Sequence, residues 1–437
     1  MIHERLFTDE HQIEKDLCAI FSSEWLRQKA KETGLIKRER KIDPIVLFWA
    51  LAIGYGVQLQ RTLAALKRNY EASSKKNLRD SSWYDRFTPE LVAFLKECAL
   101  HGMEYLAQEP SRLLGDRLSP FEDVLIQDNT IIRLHEKLSM IWPATRSRKT
   151  AAGVKVAVLT SAIANGPKSI AIYSESTNDL KTLRIGPWVK DRILLIDLGF
   201  YKYQMFTRIK ENEGHFISRL KSNANPHIID ANMSWRGRAI PVQGKNLQDI
   251  LPLMKREMLD VNIEVSFSRR KYRGERKSDK EIFRLVAIYN PEKEKYHLYI
   301  TDIPPDVLRS DEIAKLYRAR WEVEILFKEL KSRYALDEIS TANPQIIEAL
   351  IWISILTLII SRRVYRTLRK LNPNAKFVPF SHLRWSNTFA ETSGDLQRTL
   401  LQYLGFEWNL ETRLSVYESE ALGHHVGEDS FTCEWWA

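Results

Sequence analysis

The sequence predicts an α/β protein with a mixed sheet and helices, interrupted by a β-rich insertion and flanked by helical N-terminal and C-terminal regions. Three observations predict this class. Residues 1–118 have apolar side chains at helical spacing, short apolar runs alternate with helical segments from about 119, and residues 222–301 contain further strand-like runs before helical spacing resumes at Ser310. With 437 residues, the chain is also too long for one ordinary core.

The composition favours a polyanionic partner and a reducing compartment. Lysine and arginine number 66 against 56 acidic residues, which gives a formal net charge of +10. Such a balance suits nucleic acid, although a merely basic protein gives the same number. Cys18, Cys98 and Cys433 are far apart, so neither a disulfide framework nor a structural zinc site is expected. The charged N-terminus lacks the apolar core of a signal peptide, and we expect a cytoplasmic protein.

The N-terminal region is predicted to contain helices joined by a basic segment. Residues 45–70 are apolar at helical spacing after Pro44, and residues 80–82 can cap a helix that begins near Trp83. The basic residues between these helices are Lys67, Arg68, Lys75, Lys76 and Arg79. Two helices with a basic connection can form a helix-turn-helix-like reader of DNA, or a small bundle with a solvated loop, and both interpretations stay open.

The middle of the chain is predicted to form the mixed sheet. Strand-like runs and short helical segments follow each other as three strands, a helix, a strand, a helix and a strand. The predicted strands are 123–127, 153–161, 168–173, 192–196 and 214–220, and the predicted helices are 178–190 and 204–211.

The second half of the chain changes from strands to helices. Residues 260–268, 281–290 and 295–301 are predicted strands, the first two separated by a basic turn at 269–277 that suits either phosphate or solvent. Helices are predicted at 311–332 and 344–371. Residues 349–361 are strongly apolar but shorter than the roughly 18–20 residues of a membrane span, so we expect a buried core helix.

The predicted helix 311–332 places four functional side chains in one stripe. At 100° per residue, Tyr317, Arg320, Glu324 and Lys331 fall on a narrow face beside the apolar seam. An ordinary amphipathic helix with solvated charges produces a similar pattern. The stripe alone therefore does not establish a function.

Two further carboxylates change that assessment. Asp128 and Asp197 each follow an apolar predicted strand, and strand ends in α/β sheets favour functional groups. A single aspartate there is usually a turn or helix cap. Two of them followed by a helical glutamate match phosphodiester chemistry, in which two hard cations bound to carboxylates activate the attacking oxygen and stabilise the leaving oxygen.

These residues resemble a known family. The spacing of Tyr317, Arg320, Glu324 and Lys331 resembles the Tyr-Arg-Glu-Lys signature of a group of bacterial and archaeal DDE insertion-sequence transposases. Residues 128–130 and 196–200 resemble the two aspartate motifs of that group, the second with a glycine–aromatic pair. Lys155 matches a lysine on its second strand. Residues 215–221 and 299–304 are similar to neighbouring strands, so the resemblance covers about 120–340.

The resemblance implies a ribonuclease-H-like catalytic domain and a set of residue roles. Asp128, Asp197 and Glu324 would be the catalytic triad and would bind two Mg²⁺ or Mn²⁺ ions. Tyr317, Arg320 and Lys331 would contact DNA phosphates, and Trp321 would either stack on a displaced base or pack as an ordinary tryptophan. His135 and His215 are expected to be structural.

The resemblance also implies domains, partners and a reaction. The expected domains are a helical DNA-end-binding domain at 1–118, the catalytic domain at 119–221 and 302–371, the β-rich subdomain at 222–301 and a C-terminal region at 372–437 with an assembly role left open. The expected partner is double-stranded DNA, both the inverted-repeat transposon ends and the target, bound by a homodimer associated with the nucleoid. The expected reaction is nicking at the transposon end followed by attack of the free 3′-hydroxyl.

Two alternatives remain open on the sequence. The first is a related metal-dependent nuclease that hydrolyses DNA without strand transfer. The second is a non-catalytic DNA-binding protein descended from such an enzyme, which the intact acids and signature residues argue against.

Overall fold

The computed structural model describes most of the chain, and two compact units can be distinguished in it. The described residues are 11–37, 42–54, 62–109, 114–145, 151–235, 238–254, 256–268, 278–334, 336, 339, 341–371, 381–407, 409–411 and 413–416. The first unit combines Met1–Tyr105 with Lys328–Ala437, and the second unit is Leu106–Phe327. The division of the chain into functional domains that the sequence predicts remains a prediction.

Among its described residues, the first unit contains helices and no strands. Its helices are α1 (Gln12–Ile20), α2 (Ser23–Glu32), α3 (Pro44–Gly54), α4 (Leu63–Ser74), α5 (Asp80–Tyr84), α6 (Pro89–Gln108), α11 (Pro344–Leu371) and α12 (His382–Tyr403). Helix α12 lies in the C-terminal region at 372–437, which was expected to be helical.

Helix α3 forms the centre of this unit, since all its residues are buried. It begins where the Asp43 carboxylate accepts a hydrogen bond from the Ile45 amide at 2.8 Å. The helix predicted over 45–70 is divided, because α4 has its own N-cap, in which the Thr62 hydroxyl accepts from the Ala65 amide at 3.1 Å. A Cβ on Gly54 would lie 2.8 Å from Asn69 Nδ2, so the glycine permits close packing of α4.

The basic connection in the N-terminal region is partly neutralised. Lys67 is buried, and its Nζ lies 2.7 Å from the Asp80 carboxylate. Lys75 forms an ion pair with Glu407. These two cations are therefore engaged within the unit, and whether the region reads DNA stays a prediction.

The apolar segment at 349–361 is a buried core helix, as predicted. It lies within α11, which is long and apolar enough to cross a membrane, but 83% of its most apolar window is buried inside the protein. The Thr357 hydroxyl donates to the carbonyl of Ala52 in α3 at 2.7 Å. The apolar surface of α11 is thus covered by other helices of the first unit.

The second unit is built on a nine-stranded sheet in the order β3-β2-β1-β4-β5-β11-β10-β9-β6. The strands are β1 (Asp123–Leu134), β2 (Ala152–Ser161), β3 (Gly166–Ser174), β4 (Arg192–Ile196), β5 (His215–Arg219), β6 (His227–Ala231), β9 (Met258–Ser268), β10 (Ser278–Asn290) and β11 (Lys295–Thr301). A separate two-stranded sheet pairs β7 (Ser234–Trp235) with β8 (Arg238–Ala239). The helices are α7 (Tyr203–Glu211), α8 (Leu247–Ile250), α9 (Ser310–Arg318) and the start of α10 (Trp321–Arg333).

The first five strands have the order and directions of a ribonuclease-H-like sheet, which confirms the predicted fold class. Strands β3, β2 and β1 are antiparallel neighbours, while β1, β4 and β5 are parallel. The central parallel strand β4 is apolar and buried after its first residue, as expected for a strand covered on both faces.

The β-rich region at 222–301 continues this sheet. Strand β11 pairs with β5, with Thr301 opposite Ile217, and β10 and β9 follow it in antiparallel register. The three strands predicted in this region are confirmed. The basic turn at 269–277 lies outside the described residues.

Two predicted helices differ from the structure. Residues 178–190 form only short 3₁₀ turns at Asp179–Lys181 and Pro187–Val189, since the Asn178 side chain caps its own turn by accepting from the Leu180 amide. Gly186 and Pro187 then prevent helix continuation.

The helix predicted over 311–332 is two helices, α9 and α10. Around Ala319 and Arg320 the amides bond to carbonyls three residues earlier, including Arg320 N to Tyr317 O at 3.1 Å. This tighter turn separates the two helices without glycine or proline.

Candidate active site

The two predicted aspartates lie next to each other because of strand register. Strands β1 and β4 are parallel, and Gln127 is opposite Ile196 at the end of their pairing. Asp128 and Asp197 are the next residues on each chain, so both emerge at the same edge. Strand β1 is longer than the predicted 123–127, because it continues to pair with β2 as far as Leu134.

The guanidinium of Arg320 joins the three predicted acids. Its Nη1 donates to Asp128 Oδ2 at 3.3 Å, and its Nη2 donates to Glu324 Oε1. Its Nε lies 3.9 Å from Asp197 Oδ1. The structure therefore brings Asp128, Asp197 and Glu324 together around one cation, although the three acids come from separate segments.

The burial of Asp128 changes its titration. Its side chain is 22% exposed, and desolvation raises its pKa from 3.8 to about 6. The amide of Asn129, which donates to Asp128 Oδ1 at 2.8 Å, and the charge of Arg320 oppose this rise in pKa, while the charges of Asp197 and Glu324 add to it. The negative charges of Asp197 and Glu324 favour a cation beside Asp128, the position that the Arg320 guanidinium occupies.

The other signature residues lie in different surroundings. Tyr317 is buried, and its hydroxyl donates to the carbonyl of Ile196 at 3.3 Å, directly before Asp197. Burial raises the pKa of this phenol, so it stays protonated. Trp321 begins α10 and is 60% exposed. Lys331 lies in the last turn of α10, in the part of the helix that belongs to the first unit.

Asp179, which the sequence analysis placed inside a helix, supports the first aspartate motif. Its Oδ1 accepts from Asn129 Nδ2 at 2.8 Å and from Lys155 Nζ at 2.7 Å. A Cβ on Gly199, two residues after Asp197, would lie 3.0 Å from Asp179 Oδ2, so the glycine permits the close approach of this carboxylate. The Asn178-Asp179 pair, typical of turns, was the available sequence signal for this residue.

A buried ion pair fixes the segment that leads into the signature helices. Arg284 of β10 is bidentate to Asp260 of β9, with Nη2 to Oδ2 at 2.5 Å, and both side chains are almost fully buried. Arg284 Nη1 also donates to the carbonyls of Ile303 and Leu308 at 2.9 and 2.7 Å. The hydroxyl of Ser310 donates to Asp260 Oδ2 at 2.5 Å. The strands of the β-rich region thus hold the start of α9.

His215 has the structural role that was expected. Its Nδ1 lies 2.8 Å from Asp302 Oδ2, and Asp302 Oδ1 accepts from the amide of Phe216 at 2.9 Å. The hydrogen bond with Asp302 raises the pKa of His215, against the effect of burial. These contacts tie β5 to the segment after β11. His135 caps the following 3₁₀ turn, with its ring nitrogen accepting from the Lys137 amide.

Carboxylate oxygens are suitable ligands for hard divalent cations. The three carboxylates also converge on one cationic group, the guanidinium of Arg320. Among the described residues, no three His, Cys, Asp or Glu side chains are placed to hold one ion directly. For the three acids the reason is visible, since the Arg320 guanidinium contacts each of them. Displacement of this side chain would leave an oxygen-lined site with three negative charges.

Comparison with known proteins identifies the family of the chain. Residues 119–360, more than half of the chain, match the family described as the transposase DDE domain. The chain therefore belongs to the DDE transposase family, whose members catalyse DNA cleavage and strand transfer.

Relatives in several bacteria have similar lengths. The chain is 22% identical over 395 residues to the transposase for insertion sequence element IS231F of Bacillus thuringiensis subsp. israelensis, covering 82% of this chain and 80% of the relative. It is 20% identical over 386 residues to the transposase for IS1151 of Clostridium perfringens, covering 82% and 81%. Among solved structures, a piggyBac transposase synaptic complex with hairpin DNA aligns over 97% of this chain and 86% of that chain, with 12% identity and a TM-score of 0.43.

Proposed function

We propose that this transposase cleaves and joins DNA at a site formed by Asp128, Asp197 and Glu324, which bind two Mg²⁺ or Mn²⁺ ions. The observation that supports the proposal is the convergence of the three acids on one guanidinium. The bound ions would supply a more acidic attacking oxygen and charge stabilisation of the leaving oxygen.

The proposed role of Arg320 is to exchange partners. In the absence of DNA it offsets part of the charge of the three carboxylates, and with DNA in the site it turns to a phosphate next to the cut. A guanidinium suits both partners, because its fork of donors matches carboxylate and phosphate oxygens. The 16% exposure of the Arg320 side chain leaves it an open edge from which to reach the DNA.

The remaining signature residues divide into positioning and contact roles. Tyr317 positions the end of β4 through its hydrogen bond to Ile196. This hydrogen bond supports a role in holding Asp197 in place better than a role in contacting a DNA phosphate. Trp321 has the exposure needed to stack on a base, and Lys331 is proposed to contact phosphate. The four residues together support membership in the group with the Tyr-Arg-Glu-Lys signature.

The proposed partners are the inverted-repeat ends of the element and the target DNA, in cut-and-paste transposition. We propose that two copies of the chain assemble on the DNA ends, in the bacterial cytoplasm at the nucleoid. Residues 1–118 would bind the ends, 119–221 and 302–371 would carry the chemistry, 222–301 would brace it and 372–437 would contribute to assembly.

A cleavage assay tests the proposal. The full chain is incubated with a labelled duplex that contains the inverted repeats flanking its own gene, with Mg²⁺, with Mn²⁺ or with a chelator. We expect cleavage at the repeat ends only with a divalent ion. Absence of cleavage with both ions on the correct ends would contradict the proposal.

A joining assay separates transposition from simple hydrolysis. A pre-cleaved end with a free 3′-hydroxyl is supplied together with plasmid DNA. The transposase is expected to join the end to the plasmid, whereas a related nuclease would leave it unjoined.

A further inference from the structure

The pairing of strands β1 and β4 ends just before the two aspartates of the acidic site. Gln127 and Ile196 form the last pair between these strands, and Asp128 and Asp197 lie one residue beyond it. After Asp197 the chain leaves the sheet in the 3₁₀ turn Leu198–Phe200, whereas β1 continues beside β2. The pairing of β1 with β4 therefore does not by itself fix the separation of the two carboxylates.

Asn129 connects the first aspartate to a group behind the sheet. Its side chain lies on the face opposite to that of Asp128, because side chains alternate along a strand. Its Nδ2 donates to Asp179 Oδ1 at 2.8 Å, and its Oδ1 accepts from the Thr182 hydroxyl at 3.3 Å. Its backbone amide donates to Asp128 Oδ1 at 2.8 Å. A shift of Asn129 would therefore also move the Asp128 carboxylate.

The same Asp179 carboxylate lies against the turn that follows the second aspartate. Asp197 is the N-cap residue of this turn, and the amide of Phe200 donates to the Asp197 carbonyl at 3.0 Å. A Cβ on Gly199 would lie 3.0 Å from Asp179 Oδ2, so the carboxylate approaches the backbone of the turn closely. One carboxylate is thus next to both segments that carry the aspartates.

Asp179 is itself held by a buried cation. The Lys155 side chain of β2 is 8% exposed, and its Nζ donates to Asp179 Oδ1 at 2.7 Å and to the carbonyl of Thr177. The Thr182 hydroxyl donates to the Asp179 carbonyl at 2.8 Å. Hydrogen bonds between charged groups are stronger than those between neutral groups, so the Asp179 carboxylate has a defined position behind the sheet.

We propose that Asp179 is a positioning residue that sets the separation of the Asp128 and Asp197 carboxylates. Asn129 transmits its position to Asp128, and Gly199 permits its contact with the segment of Asp197. The inference rests on the proposed function, because it assumes that the two aspartates bind divalent ions. Two such ions lie about 3.5–4 Å apart, so the carboxylates that bind them need a fixed separation. Hydrogen-bonded groups behind metal ligands contribute to metal affinity in this way.

The test is Mn²⁺ binding to the full chain without DNA, followed by the electron paramagnetic resonance signal of the free ion. The variants are Asn129→Ala, Asp179→Ala and the two combined. The matched control is Arg133→Ala. Arg133 lies on the same face of β1 as Asn129 and also binds the segment after β3, through an ion pair with Glu175, but it lies near the far end of the strand.

We expect Asn129→Ala to weaken the affinity for Mn²⁺ about 10-fold and Asp179→Ala about 30-fold, because the second variant loses both contacts. The combined variant should bind Mn²⁺ like Asp179→Ala alone, since Asn129 acts through Asp179. Arg133→Ala should keep an affinity within about twofold of wild type, although it leaves the Glu175 carboxylate buried and lowers the thermal midpoint. Wild-type affinity in Asp179→Ala, or an equal loss in Arg133→Ala, would overturn the proposal.

A further variant, Asp128→Asn, separates this inference from the proposed function. If Asp128→Asn binds Mn²⁺ as tightly as the wild type, the ions are not held at the aspartates and both proposals fail. If Asp128→Asn weakens binding while Asp179→Ala keeps wild-type affinity, the positioning role alone fails. Should Asp179→Ala not fold, Asn129→Ala decides the question, because it leaves the ion pair of Lys155 with Asp179 in place.

Discussion

Arg320 Nη1 lies 3.3 Å from Asp128 Oδ2, although the two residues are 192 positions apart in the chain. The same guanidinium donates to Glu324 and lies within 4 Å of Asp197. A signature residue expected at the DNA is therefore also the counter-ion of the acids. This arrangement leads to predictions on stability, chemistry and pH.

Arg320→Ala is expected to destabilise the protein in the absence of divalent ions, because the three carboxylates then repel each other without a cation between them. In chelator, the thermal midpoint of the variant should lie roughly 2–6 °C below that of the wild type. Addition of Mg²⁺ should raise the thermal midpoint of the variant by more than it raises that of the wild type. Thermal unfolding monitored by circular dichroism measures both. Arg318→Ala, an exposed neighbour on α9, is the control, and an equal response to Mg²⁺ in both variants would contradict the prediction.

Glu324→Gln is expected to lower the cleavage rate on the order of 10³-fold, since it removes a proposed ligand worth several kcal/mol in the transition state. Binding of the DNA end should stay within about twofold of wild type, whereas Arg320→Ala should weaken the complex itself. Gel-based cleavage and fluorescence anisotropy give the two quantities. Glu322→Gln on the same helix is the control for α10, and equal loss of DNA binding in Glu324→Gln and Arg320→Ala would refute this division of roles.

The raised pKa of Asp128 predicts a pH dependence with a definite sign. The folded protein holds this proton up to about pH 6, whereas an unfolded aspartate loses it near 3.8. The contribution of Asp128 to the stability of the metal-free protein therefore decreases as pH rises from about 4 to 6.

Divalent ions must displace the same proton, so their affinity should rise with pH up to about 6 and then level off. Calorimetric titration with Mg²⁺ in two buffers of different ionisation enthalpy counts the protons released. Asp128→Asn should lack the proton release, and a pH-independent affinity in the wild type would rule out this assignment.

Arg284→Met is expected to lower the free energy of unfolding by about 3–5 kcal/mol, because it leaves the Asp260 carboxylate buried without its partner. It should also slow cleavage, since Arg284 holds the carbonyls of Ile303 and Leu308 before α9. Urea unfolding and the cleavage assay are the measurements. Lys280→Met breaks an exposed pair on the same strand and should cost at most about 1 kcal/mol, so similar losses in both variants would argue against the buried brace.

Local patterns in the sequence were sufficient for the strands of the nine-stranded sheet other than β6, and for the order of the acids. Strand β4 was predicted at its observed bounds, because a short apolar run with turns on both sides is typical of a buried strand. Residues 178–190 were predicted wrongly, because their helical spacing did not reveal the hydrogen bonds of Asn178 and Thr182 that form a turn instead. The break at Ala319 was also hidden, since both flanking segments are good helix formers.

The sequence by itself determined the fold class, the segments that carry Asp128, Asp197 and Glu324, and the resemblance to a transposase family, because each depends on residue types at short spacing. Only the tertiary structure placed Arg320 among the acids, Asp179 behind Asn129 and Arg284 under the start of α9. These relationships join residues far apart in the chain. They are decided by sheet register and by the need of buried charges for partners, neither of which is written in a local pattern.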